Sequence, residues 1–279
     1  YKRQPISWGR WCEIPVSAIM KSVISMEDKS PGSRLERKPN ESFITVLAPL
    51  PDFPYLRKPK KLYMKDKKYL LFDLDGTLTD PFTGITRSVQ HALKHYGIIE
   101  NDLNLLTPFI GPPLIDSFRE RYHFSEEQAK EAVCYYREYF VEKGWCENKV
   151  YPGIPELLKH LQEAGRKLYV ATSKPTPFAE KILSHFNLSR YFERIEGSSL
   201  DHTKMRKAEV MQSLLAQAGI TEKGEAIMVG DRKYDVIGAH EVSVECVGVL
   251  YGYGSREELI SAGADYVVPS VEALSALFR

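Results

Sequence analysis

Two aspartates close a short apolar run in "YLLFDLDGTLTD" (Tyr69 to Asp80): Asp73 follows Phe72 directly, and Asp75 comes two residues later. Side-chain direction in a strand repeats every two residues, so both carboxylates can address one pocket. Carboxylates that close repel, and one of them takes up a proton unless a cation is at hand. With a metal ion present, one stays ionised as a nucleophile while the other handles protons. A strand-end Asp followed by Gly is also an ordinary turn, so this pair alone does not decide. A second acidic group says more. In "AIMVGDRKYDV" another apolar run ends in Gly230-Asp231, with Asp235 four residues further on. Carboxylate oxygens from two strand ends make a hard, oxygen-rich site that suits magnesium, which keeps waters and bridges a substrate phosphate. In "KLYVATSKP", Thr172 stands at a strand end, where its hydroxyl and the N–H groups of the following turn can reach a phosphate oxygen. In "DHTKMRKAEVM", Lys207 opens a helical stretch and can neutralise a phosphoryl group or the nucleophile. Lys204 and Arg206 compete with it for that role.

These groups need strands that end together. "KYLLFDL" reads as a short buried strand by its continuous apolar run. A helix follows from about Thr83 to Tyr96, with Ile85, Val89, Ala92, Leu93 and Tyr96 at helical spacing. Residues 101–150 read as mostly helical, with Ser125 as N-cap before an acidic first turn. The helix "GIPELLKHLQEAG" then leads into the strand "KLYVATS". After it come a helix ("PFAEKILSHFNL"), the strand "FERIEG", a helix ("KAEVMQSLLAQAG") and the strand "AIMVGD". The helix "YDVIGAHEV", the strand "ECVGVL", the helix "REELISAGA", the strand "DYVVP" and the helix "VEALSALF" complete the pattern. Strands alternating with helices imply an α/β protein with a parallel sheet covered on both faces. Ligands of such sheets bind at the carboxyl ends of the strands, near the switch in strand order.

Taken in chain order, "FDLDGTLTD", "VATSKP", Lys207 and "GDRKYD" resemble the four motifs of the haloacid dehalogenase-like superfamily of phosphatases, over about residues 66–279. The resemblance implies a Rossmann-like doubly wound core (64–80 and 151–279). It also implies a small all-helical cap inserted after the first strand (81–150). By it Asp73 is the nucleophile that forms an aspartyl-phosphate, and Asp75 is the acid and base. Thr172 and Lys207 hold the transferring group, in a phosphate cradle that also takes in Gly76, Thr77, Ser173 and Lys174. Asp73, Asp231 and Asp235, with the Asp75 backbone carbonyl, hold Mg²⁺. "DPFTGITRSVQHAL", "IGPPL" and "YPGIPELL" resemble the phosphoglycolate phosphatase-like branch, and "KAEV" a 5′-nucleotidase-like variant. Ser173 where that branch has Asn, and Ala208 where it has Pro after the lysine, are departures. Arg87 and Phe109 to Leu114 are the implied specificity residues. The expected activity is Mg²⁺-dependent hydrolysis of a small phosphomonoester, phosphoglycolate or a nucleoside 5′-monophosphate. Pyrophosphate hydrolysis and sugar-phosphate hydrolysis or mutation are the alternatives. The mutase reading is weakened because no His precedes His91 after the first motif. Dehalogenation is disfavoured by the presence of Asp75.

The bulk figures fit such an enzyme. The 279 residues carry a net charge of +1, but residues 1–63 hold twelve Lys and Arg against six Asp and Glu. That stretch, with four prolines in "PLPDFPYLRKPKKL" and one candidate strand in "SFITVLAPL", reads as a basic, poorly structured extension appended to a unit opening at Met64. A first residue of Tyr suggests a fragment or processed product. The extension leaves a binding-protein reading open, and Trp8, Trp11 and Tyr55 among its charges allow nucleic acid as a partner, which is disfavoured. No apolar run approaches the ~18 residues of a membrane span, and Lys21 interrupts "IPVSAIMKSVISM". Cys12, Cys134, Cys146 and Cys246 form no C-x-x-C pair, so reduced thiols and a cytoplasmic location are expected. The expected form is a monomer or homodimer.

Overall fold

Strand β1 (Tyr69–Phe72) is apolar throughout because both of its faces are covered. The computed structural model describes residues 64–200, 204 and 206–279. The extension and the readings made on it ("SFITVLAPL", Trp8, Trp11, Tyr55, Cys12) lie outside the described residues. Strands β1, β4 (Lys167–Pro175), β5 (Phe192–Ser198), β6 (Ala226–Gly230), β7 (Glu245–Val249) and β8 (Tyr266–Val268) form a parallel sheet in the order β5-β4-β1-β6-β7-β8. Phe72 is in register with Val170 on one side and Val229 on the other. The chain runs outward from β1 to β5, returns to β6, and runs outward again to β8. The switch point therefore lies beside β1, where the predicted residues cluster.

Alternate strand residues feed two cores. Leu70, Phe72, Val170 and Val229 pack with α4 (Ile154–Glu163), α5 (Thr176–His185) and α9 (Val271–Leu277). Leu71, Tyr169 and Met228 pack with α6 (Lys207–Gln217), α7 (Lys233–Glu241) and α8 (Arg256–Ser261). This is the doubly wound arrangement expected from the alternation of elements.

Between β2 (Thr79–Asp80) and β3 (Lys149–Val150) the chain is helical. It forms α1 (Phe82–His95), a 3₁₀ stretch (Leu103–Phe109), α2 (Leu114–Tyr122), α3 (Glu126–Tyr139) and a π turn (Phe140–Gly144). Helix α1 buries Ile85, Val89, Ala92 and Leu93, the spacing read from the sequence. Ser125 caps α3 in a reciprocal box with Gln128: the Gln128 N–H donates to Ser125 Oγ at 3.2 Å and the Ser125 N–H to Gln128 Oε1 at 2.9 Å. Helicity does not run to residue 150. Lys149 and Val150 pair antiparallel with Asp80 and Thr79, so a two-stranded ribbon joins insert and core. Among the described residues no helix is long and apolar enough to cross a membrane.

Candidate active site

Asp73 leaves the end of β1 with its N–H donating to the Val229 carbonyl at 2.9 Å, which fixes it against β6. Its Oδ1 accepts from the Leu74 N–H at 2.8 Å and lies 2.9 Å from Lys207 Nζ. Lys207, the first residue of α6, also reaches Asp235 Oδ1 at 2.8 Å and donates to the Ala171 carbonyl at 3.1 Å. Lys204 instead pairs with Glu196, and Arg206 with Glu241. Of the three competing cations, Lys207 is the one beside Asp73.

Asp75 is buried and pairs with Lys174 Nζ at 2.7 Å, while that ammonium also lies 4.6 Å from the Phe140 ring of the insert. Thr172 stands inside β4 rather than at its end. The pairing of β4 with β5 is irregular between Ala171 and Pro175, and the released Thr172, Ser173 and Lys174 turn into the cleft. Asp231 follows β6 directly and is fully buried. It accepts from the Tyr253 N–H at 2.8 Å and the Thr77 hydroxyl at 3.3 Å. Asp235 Oδ2 accepts from the Arg232 N–H at 3.0 Å.

Asp73, Asp231 and Asp235 each offer a carboxylate oxygen within 4.8 Å of the others. Burying like charges this close is costly unless a cation sits among them. Burial, with Asp235 and Asp73 adding to it, pushes the Asp231 carboxyl well above its ordinary range. Asp235 is pushed up to about 6 by burial, against the pull of Lys207. Burial also raises Asp75, opposed by Lys174, and its Oδ1 is buried without a hydrogen-bond partner. Burial works to lower Lys207, but Asp235 and Asp73 outweigh it and hold the ammonium charged. Three buried carboxylates within reach of one another suit a hard divalent ion with oxygen ligands.

Gly76 has a left-handed φ of +84°, and a side chain there would meet Asp231 Oδ2 at 2.2 Å. Its role is close approach, and its N–H donates to the Thr79 carbonyl at 2.7 Å rather than into the cleft. Thr77 likewise spends its hydroxyl on Asp231. Arg87 is not brought to the group. It lies half exposed on α1 with Nη1 2.5 Å from Glu147 Oε1, because Glu147 on the far side of the insert captures it first.

The sequence reading did not find Arg232 or Tyr253. The Tyr253 N–H holds Asp231, and its hydroxyl bonds Asp80. Arg232 donates from Nε to Glu258 at 2.9 Å and from Nη1 to the Ile110 carbonyl at 2.5 Å, tying the loop after β6 to the insert loop that lines the cleft. Only a tertiary contact marks it, although its place in "GDRKYD" put it next to a singled-out residue. A hydrogen bond from a charged group is worth about 1.5–3 kcal/mol, and every 1.4 kcal/mol is tenfold. Arg232→Ala is therefore expected to lower kcat/KM about tenfold, mainly through KM. Steady-state kinetics showing an unchanged KM would contradict this role.

The cleft is open, with about 910 Å³ of empty space, solvent included. Asp73, Asp75, Thr172, Ser173 and Lys174 form its floor, and Ile85, Phe109, Leu114, Tyr136 and Phe140 of the insert and Phe178 of the core wall it.

Residues 70–249 match the family of haloacid dehalogenase-like hydrolases. A 5′-nucleotidase of Pseudomonas aeruginosa is 52% identical over 190 residues, covering 68% of this chain and 86% of that one. A phosphoglycolate phosphatase of Yersinia pestis is 29% identical over 205 residues, covering 71% of this chain and 87% of that one. The solved structure of the Mycobacterium tuberculosis protein tyrosine kinase A has a TM-score of 0.68 at 38% identity, covering 76% of this chain and 99% of that one.

Proposed function

The chain belongs to the haloacid dehalogenase-like hydrolases and is a phosphoric monoester hydrolase; from that premise we propose that it cleaves nucleoside 5′-monophosphates through an aspartyl-phosphate on Asp73, with Mg²⁺ as cofactor. The observation that carries the substrate reading is the aromatic wall above the acidic floor, built by Phe109, Tyr136, Phe140 and Phe178. A nucleobase and its sugar bury ring surface against such a wall, whereas a glycolate has only a carboxylate to offer.

Asp73 Oδ1 is held by the Leu74 N–H and Lys207, which leaves Oδ2 to attack phosphorus. As the Oδ2–P bond forms, the bond from phosphorus to the 5′ oxygen breaks, and Asp75 gives that oxygen its proton. Asp75 then accepts a proton from the water that attacks the phosphorus of the aspartyl-phosphate, releasing inorganic phosphate and restoring Asp73. Splitting the displacement in two lowers each barrier. The remaining task is to position the phosphoryl group and neutralise its equatorial oxygens, which Thr172 and Lys207 do. Asp73, Asp231, Asp235 and the Asp75 carbonyl would hold Mg²⁺, which supplies positive charge to the phosphate and to the buried carboxylates. The Lys174 ammonium keeps Asp75 oriented between the two half-reactions.

Arg137 also lines the cleft and is the group that a glycolate carboxylate would need, so phosphoglycolate is the second reading. Nucleoside 5′-monophosphates, phosphoglycolate and pyrophosphate assayed with Mg²⁺ and with a chelator separate the cases. The nucleotides are expected to be cleaved with kcat/KM at least about tenfold above phosphoglycolate, the worth of one buried contact, and all activity should vanish with the chelator. Preference for phosphoglycolate would move the reading to Arg137. Cleavage of pyrophosphate alone would remove the monoester assignment. We place the enzyme in the cytoplasm as a monomer or homodimer; among the described residues no cysteines are joined by a disulfide, which suits a reducing compartment.

A further inference from the structure

Among the described residues, one cluster of metal-ligating side chains lies outside the cleft. His91, His95 and Glu138 each offer a ligand atom, all within 4.8 Å of one another. His91 and His95 stand four residues apart on α1, so their rings leave one face of that helix. Glu138 comes from α3. His91 Nε2 is 3.2 Å from Glu138 Oε2, and His95 Nε2 is 3.9 Å from the same oxygen. Two imidazole nitrogens and a carboxylate thus converge on one point. A tetrahedral Zn²⁺ with ligands at ~2.0–2.1 Å sets its ligand atoms about 3.3 Å apart, so these atoms need only small shifts to accept it.

The rings are also braced. His95 lies flat on Tyr135, with centroids 3.8 Å apart and planes 5° from parallel. The His91 ring sits 5.9 Å from that of Tyr139. Both tyrosines come from α3, and each hydroxyl is anchored, Tyr135 on Glu131 at 3.2 Å and Tyr139 on Glu147 at 3.1 Å. A simple surface ion pair needs one imidazole and no bracing. Here two imidazoles compete for one carboxylate oxygen, which is the donor set of a borderline divalent ion.

We propose that His91, His95 and Glu138 bind a transition-metal dication of the zinc class, with water completing the coordination on the solvent side. The side chains are 35%, 39% and 53% exposed, so the ion can exchange freely. The ion ties α1 to α3, and these helices supply Ile85, Val133 and Tyr136 to the cleft wall from their buried sides. Its expected effect is to stiffen that wall without touching the phosphoryl chemistry. This inference stands on its own geometry and does not need the substrate reading above.

Zn²⁺ is titrated calorimetrically into the full chain held in excess Mg²⁺, comparing wild type with the double variant His91→Gln/His95→Gln. Wild type is expected to bind one zinc equivalent more than the variant, and its Tm to rise on zinc where the variant's does not. Equal stoichiometry and equal Tm shifts overturn the site. Glu138→Gln, which keeps the shape of the side chain, replaces the double variant if that one does not fold, and should weaken zinc binding. Cu²⁺ electron paramagnetic resonance gives an independent reading: coupling to two imidazole nitrogens is expected. Its absence, or a thiolate charge-transfer band with Co²⁺ marking a cysteine site instead, overturns the proposal.

Discussion

Replacing Asp73 with Asn is expected to lower kcat by at least about 10⁴-fold, the order of loss seen when a covalent nucleophile is removed. The amide is isosteric, keeps the Leu74 N–H as a partner for its oxygen, and cannot form the bond to phosphorus. The same change should leave the metal-free protein no less stable. Asp73 is one of the charges that push Asp231 and Asp235 upward, so neutralising it relieves repulsion among buried carboxylates. Lys207 retains Asp235 at 2.8 Å as its partner. The measurement is a turnover assay beside a thermal melt in chelator. Full activity would end the covalent mechanism, and an inactive protein with a much lower Tm would make Asp73 a structural residue instead.

Lys207→Met is expected to act on both axes at once. The Lys207 side chain is 3% exposed and its ammonium faces two carboxylates, at 2.9 and 2.8 Å. Removing one partner of a buried ion pair typically costs about 3–5 kcal/mol, because the remaining charge stays buried. Removing a donor aimed at developing charge costs about 10²–10³ in kcat. Urea titration and steady-state kinetics check the two figures separately. Adding Asp73→Asn to Lys207→Met should recover part of the lost stability, since one of the two orphaned charges is then gone and only Asp235 remains. A Lys207→Met protein as stable as wild type would show that the buried carboxylates are already protonated.

The groups legible in the sequence were those whose signal is local. An apolar run ending in aspartate is visible at Asp73 and Asp231 without knowing what lies beside it. The helical stripe of Ile85, Val89, Ala92 and Leu93 is visible for the same reason. Between Lys204 and Lys207 the sequence offered only the place of Lys207 at a helix start, and the fold adds that Glu196 of β5, eight residues upstream, captures Lys204. Arg232 and Tyr253 escaped notice because their partners, Ile110 and Asp80, lie more than a hundred residues away in sequence. Arg87 illustrates the converse: a cation at a motif-matching position is drawn to Glu147 by a fold the motif does not encode. Strand β3 went unnoticed at the end of a stretch read as mostly helical, because it is two residues long and exists only through β2.

The central place of β1 has a consequence for biogenesis. Thr77 and Asp231 are in contact but 154 residues apart in sequence, and the site needs β4, β1 and β6 side by side. Contacts of such separation form late, because the intervening loop must be closed before they give any return. A nascent chain that has emerged only through β5 carries Asp73 and Asp75, the proposed nucleophile and acid–base pair, yet lacks Asp231 and Asp235 beyond β6. On the proposed mechanism, phosphate release then starts only when the second half of the sheet has docked, and an unfinished chain is expected not to hydrolyse phosphomonoesters.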